Sequence, residues 1–244
     1  MRWIPNIALT LIVFLPSVAF AYRPFDGTDA DVAPAGEFEL EYGPFGYVKL
    51  GRQRYFSGPA LVANLGLFPR WELVLQGHEL VSLDHQSGQP HSQLLDTGLF
   101  LKGVLREGSL QNREGLSVVT EFGPLLPTIH DNTNLGATAS LIVSNRWKPM
   151  SVHFNTAATL TRTHHADLFC GVILEGAYNW HLRPVAELFI EREFGGDRLY
   201  SALTGVIWRK NPELSFDLGL RAFRADIANG YELRSGLTWA SQLW

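Results

Sequence analysis

Cysteine is almost missing from this chain of 244 residues: Cys170 stands alone, so no internal disulfide holds the fold. No Cys/His motif flanks it, and it reads as a small apolar residue in a wall. Long apolar runs are missing too, because no stretch after residue 21 reaches the ~18 residues that a helical membrane span needs. If this chain crosses a membrane, it crosses with strands. Basic charge is scarce, with 20 Lys and Arg against 24 Asp and Glu, and no basic stripe, which argues against a nucleic-acid partner. No Gly-x-Ser-x-Gly nucleophile elbow and no His-x₃-His pair occurs, so neither a hydrolase nor a metal centre announces itself.

What is present begins with a leader. Arg2, an apolar run from Ile7 to Phe20 and the small-x-small end Ala19-Phe20-Ala21 predict a secretory signal peptide over 1–21. A membrane anchor is the alternative, but the run is short for a span and carries a cleavage site. Residues 22–35, rich in Asp, Pro and Ala and without periodicity, are expected to form an N-terminal periplasmic arm. Residues 36–244 carry the pattern that decides fold class.

That pattern is clearest from Gly230 to Trp244. Tyr231, Leu233, Leu237 and Trp239 alternate with Glu232, Arg234, Gly236 and Thr238, an apolar face with aromatic ends against a charged one. Such a strand fits between lipid and a watery lumen. In lipid a sheet keeps no free edge, since each unpaired backbone group there costs several kcal/mol, so the rest of the chain must curl round to meet this strand. Further alternation over 37–42, 60–68, 71–78, 97–106, 116–124, 135–145, 151–160, 167–179, 185–193, 199–210 and 214–223 predicts a twelve-stranded antiparallel transmembrane β-barrel, an all-β fold. The stretch Tyr47–Ser57 is either a continuation of the first strand or a strand of its own. Connections at 69–70, 146–149, 180–184 and 211–213 are short, those between them mostly longer, with 79–96 the extreme and 107–115 the exception. Alternating short and long turns favour a barrel of the outer-membrane type over a soluble sandwich.

The opening of the mature chain resembles a known family. Arg23-Pro24-Phe25, Asp29-Ala30 and Ala33-Pro34-Ala35-Gly36, leading into Glu39-Leu40-Glu41-Tyr42-Gly43, are similar to the start of the outer-membrane transporters grouped as the MetA-pathway phenol-degradation family. The resemblance implies a barrel in the bacterial outer membrane that passes small, often hydrophobic or aromatic compounds, and it brings no catalytic residues. Members commonly end on phenylalanine, whereas this chain ends on Trp244.

Strand parity assigns the lumen. Glu37, Glu39, Glu41, Glu72, Gln76, Lys102, Glu121, His153, Asn155, Glu175, Glu187, Glu191, Asp217, Arg221, Glu232 and Arg234 face inward, and acids outnumber bases among them. Either they act on permeating cations as an acidic lining, or they satisfy one another and plug a narrow barrel. Ser151, His153 and Asn155 share a face, but residues of one strand point in parallel, which disfavours a hydrolase. His85, His91, His130, His164 and His165 fall in outer segments beside Asp84, Asp131 and Asp167, a weak ligand set for Zn²⁺ or Cu²⁺. No cofactor is implied. Expected partners are membrane lipid and lipopolysaccharide, small-molecule solutes, and the outer-membrane assembly machinery reached through the C-terminal strand. The expected function is passive passage of small solutes, with a structural barrel of plugged lumen as the alternative and a barrel-embedded lipid hydrolase behind it.

Overall fold

The computed structural model describes residues 23–84, 91–128, 134–226 and 228–244; the expected signal peptide, His85 and His130 lie outside the described residues. Twelve strands form one closed antiparallel barrel: β1 (Glu37–Leu50), β2 (Gln53–Phe68), β3 (Trp71–Ser82), β4 (Ser92–Arg106), β5 (Ser117–Leu125), β6 (Gly136–Arg146), β7 (Met150–Leu160), β8 (Ala166–Gly176), β9 (Leu182–Glu193), β10 (Arg198–Asn211), β11 (Leu214–Ala225) and β12 (Asn229–Gln242). Closure comes from β12 pairing with β1, Glu37 opposite Gln242 and Leu50 opposite Gly230, with one bulge between Tyr42 and Phe45. The closing role read from the last stretch is the observed one.

Period-two alternation carries the wall. Leu218, Leu220, Leu188 and Ile190 are exposed on the outside, whereas Asp217, Glu187 and Glu232 on the intervening positions are buried inside. Among the described residues no helix is long and apolar enough to cross a membrane. Exposed aromatics form two bands. Trp147, Trp180, Trp208 and Trp239 ring the end that holds both termini, while Tyr200, Tyr231 and Phe194 ring the other. Cys170 lies exposed on the outer face of β8.

The connections depart from the sequence expectation in two places. Tyr47–Ser57 is a continuation of the first strand only as far as Leu50; residues 51–52 make a tight turn, with Gly51 at φ 58°, and Gln53–Ser57 opens β2. Half of the expected long loop 79–96 is strand: β3 runs to Ser82 and β4 starts at Ser92. Long excursions at the end away from the termini are thus partly strand, so turn length alternates less than the hydropathy pattern implies. The long exception, residues 107–116, has a reason. Its 3-10 turn Ser109–Gln111 folds into the barrel mouth, where Leu110 packs with Ala30, Val104, Val119 and Ile142.

Candidate functional site: the barrel interior

Of the segment 22–35 expected as a periplasmic arm, residues 23–35 are described and run inside the barrel. A segment with no regular structure must find partners for its backbone, and here the wall supplies them one side chain at a time. The N–H groups of Asp26 and Gly27 donate to the Glu187 carboxylate at 3.0 and 2.7 Å. Asn155 brackets Thr28, accepting from its N–H at 2.9 Å and donating to its carbonyl at 2.8 Å. Ala30 N–H donates to Ser144 Oγ at 2.9 Å, and Ala33 N–H to Glu72 at 2.5 Å. Gln111, from the inturned connection, donates to the Ala30 carbonyl at 2.6 Å and to Asp31 at 3.1 Å. Wall glycines make room for this path: a Cβ at Gly66 would collide with the Pro34 carbonyl, and one at Gly236 with the Arg23 guanidinium.

Ion pairs fix the arm further. Asp26 meets Arg221 and Arg234 at 3.3 and 3.4 Å, and both arginines also hold Glu232, at 3.3 and 2.6 Å. Lys102 lies between Glu72 (3.3 Å) and Asp29 (3.7 Å), and Arg23 faces Asp217 at 3.6 Å. Arg183, which the sequence reading put in a turn, stands inside on β9 and pairs with Glu175 at 3.2 Å. Arg221 is sandwiched between the Phe189 and Phe223 rings, 4.9 and 5.1 Å from their centroids.

Every residue assigned to the lumen by parity points inward. Glu37, Glu39, Glu41, Glu72, Lys102, His153, Glu175, Glu187, Asp217 and Glu232 are buried; Gln76, Glu121, Glu191, Arg221 and Arg234 are half-buried on the same surface. The arm's own charges and Arg183 lie outside the expected strands, and Asn64 and Ser144 are uncharged inward residues of β2 and β6 that were not among the assigned set.

Beside the arm a cavity of about 910 Å³ remains. Its lining reaches from Asn112, Arg146 and Tyr178 near the end that holds the termini to Thr161, Arg162 and Glu193 near the opposite end, with arm residues 25–29 and 31–34 along one side. Phe25, Phe100 and Phe169 give it apolar surface; Asp31, Glu39, Glu41, Glu121 and Glu191 line it without an ion-pair partner among the described residues. Burial, and then the neighbouring Asp29 carboxylate, push Asp31 up to about 7. Asn64 donates to both Glu39 and Glu41 at 3.3 Å and holds the two carboxylates together.

The chemistry considered for the histidines looks different in place. His153 Nδ1 is 2.8 Å from Ser144 Oγ, the same oxygen that takes the Ala30 N–H, so this buried serine–histidine pair serves to dock the arm and stands outside the cavity lining. His165 Nδ1 pairs with Glu193 at 2.8 Å, His164 sits in the turn before β8 at φ 63°, and the His91 carbonyl accepts from Ser82. Among the described residues no three His, Cys, Asp or Glu side chains converge as a metal site. Asp84 is bound by Arg54, whose hydrogen bonds hold its carboxyl below the usual range.

No protein-family model and no curated protein matches the chain. Among solved structures it is similar to an outer membrane channel from Pseudomonas putida F1, at TM-score 0.63 and 10% identity over 89% of this chain and 100% of that one. It is also similar to the KdgM porin, at TM-score 0.53 and 8% identity over 82% of this chain and 98% of that one. The KdgM porin in complex with disordered oligogalacturonate aligns at 0.52 and 10% over the same shares. These likenesses lie in the fold, a closed barrel of the outer-membrane type.

Proposed function

We propose that this chain is a bacterial outer-membrane channel for the passive passage of small solutes, those with an apolar or aromatic body included. One observation carries the reading: the cavity of about 910 Å³ has lining residues near both ends of the barrel while the arm is docked. A path beside a fixed arm needs no conformational change to conduct. The lining mixes phenylalanine faces with carboxylates, of which Asp31, Glu39, Glu41, Glu121 and Glu191 have no ion-pair partner among the described residues, and a low-dielectric wall focuses the field of such charges into the path. Cations should therefore pass in preference to anions. The resemblance of residues 23–43 to the phenol-degradation transporters points the same way on solute class, and lipid, lipopolysaccharide and the assembly machinery are the partners this location brings.

A second reading, the structural barrel with a plugged lumen, is favoured by the density of bonds between arm and wall. Liposome swelling separates the two. Vesicles holding the folded barrel should swell in isosmotic solutions of small sugars and small aromatic amines, faster for the amines. Folded protein that admits none of them would establish the plugged barrel instead.

A further inference from the structure

Three arginines stand together on the outer surface of the barrel, away from the lumen. Arg192 continues the outward face of β9 beyond Leu188 and Ile190; Arg198 opens β10 on the same side as the exposed Tyr200; Arg224 continues the outward face of β11 beyond Leu218, Leu220 and Ala222. Pairing brings them side by side. Arg198 lies directly opposite Arg192, and Arg224 lies opposite Tyr200, two residues further along β10. Directly opposed residues on one face have Cβ atoms about 4.5–5.5 Å apart, and diagonal neighbours about 7–8 Å.

This arrangement costs the isolated protein stability, because like charges directly opposite repel. None of the three guanidinium groups forms an ion pair with a described residue; Asp226 Oδ2 accepts from the main-chain N–H of Arg198 at 3.2 Å. Aromatic rings flank them: Phe194, in the turn beyond β9, lies 5.2 Å from the Arg192 guanidinium, and Tyr200 is exposed two residues further along β10 from Arg198. All three residues sit at the end opposite the termini, just past the apolar band, which is the headgroup level of the outer leaflet in an outer-membrane barrel. Planar guanidinium forks at this spacing match the oxygens of phosphate groups, and phosphates in that leaflet would remove the repulsion.

We propose that Arg192, Arg198 and Arg224 form an external binding site for the phosphorylated headgroup of a lipid of the outer leaflet, of the lipid A type, with its acyl chains running down the apolar wall of β9 to β11. The proposal rests on the outer-membrane location within the proposed function, not on conductance, so swelling or current measurements do not bear on it.

The test starts from barrel refolded in detergent and checked by slower migration after boiling; protein without that heat shift would refute the location itself rather than this site. Binding of bis-phosphorylated lipid A, dephosphorylated lipid A and inorganic phosphate is then measured by native mass spectrometry for three proteins. These are the wild type, the triple variant Arg192→Gln, Arg198→Gln, Arg224→Gln, and a charge-matched control at the opposite end, Arg113→Gln, Lys148→Gln, Lys210→Gln. The wild type and the control should bind the phosphorylated lipid alike, and the arginine variant should bind it on the order of 100-fold more weakly, roughly fivefold for each surface arginine lost. Equal affinity of the arginine variant and the wild type overturns the site. Equal binding of the dephosphorylated lipid shows that acyl chains alone drive the contact, and phosphate binding as tight as that of the lipid shows a bare anion patch; either result also overturns it.

Discussion

Replacing Leu218 by arginine tests whether the outer wall meets lipid. Leu218 is 49% exposed in the middle of the outward face of β11, opposite Val206 and Ser235. It lies four residues beyond Leu214, about 13 Å along the strand and about 10 Å along the barrel axis at a tilt of ~40°. An apolar band about 25 Å tall has its midplane near that height, where an outward arginine costs ~2–4 kcal/mol. Ala222, four residues further on the same face and next in line to the native Arg224, lies near the band's edge, so Ala222→Arg should cost only ~0–1 kcal/mol. Urea titrations of the barrel in lipid vesicles, followed by tryptophan fluorescence, give both numbers. Near-zero cost at Leu218, or equal cost at both positions, would refute a membrane-facing wall, since a water-facing one has no depth dependence.

Other consequences concern the interior. Lys102→Met leaves Glu72 and Asp29 buried without their cation and should destabilise the folded barrel by about 3–5 kcal/mol in the same titration; a neutral result would mean that the network is solvated. A Cβ built at Gly27 comes within 3.1 Å of Asn155 Cγ, close to the separation of about 3 Å between a Cβ and the opposite sulfur of a disulfide. The pair Gly27→Cys with Asn155→Cys should therefore oxidise and staple the arm to β7. Conductance of the stapled barrel should equal that of the reduced form, and its loss on oxidation would show that the arm must leave for solutes to pass. Deleting residues 23–34 should raise conductance, because the arm fills part of the lumen beside the cavity; an unchanged value would place the path elsewhere.

Fold and lumen faces were legible from sequence because a barrel wall between lipid and water imposes strict period-two contrast, and strands such as Trp71–Gln76 and Phe216–Arg221 obey it. Glu187 and Asn155 were placed inward for that reason alone. Their use as anchors of the arm was not legible, because each wall contact comes from a different strand and leaves no local pattern in residues 23–36. Arg183 was missed because Trp180-His181-Leu182-Arg183-Pro184 has the composition of a turn, yet Pro184 faces outward within β9 and the strand begins at Leu182. The one sequence signal of an inward plug was the length of 107–115, which broke the turn alternation for the sake of Leu110 and Gln111. Loop length at the far end misled because β1 to β4 extend past the aromatic band as paired strand.

The central claim, an open acidic path beside a docked arm, is tested most directly by the reversal potential of the purified barrel in a planar bilayer under a KCl gradient at about pH 8.5, where Asp31 is ionised. Steady conductance with cation preference is expected. That preference should weaken as salt shortens the screening length to a few Å, and should fall at every salt concentration in a variant carrying Asp31→Asn, Glu39→Gln and Glu41→Gln. Anion preference, or a folded barrel that passes no current, would contradict it.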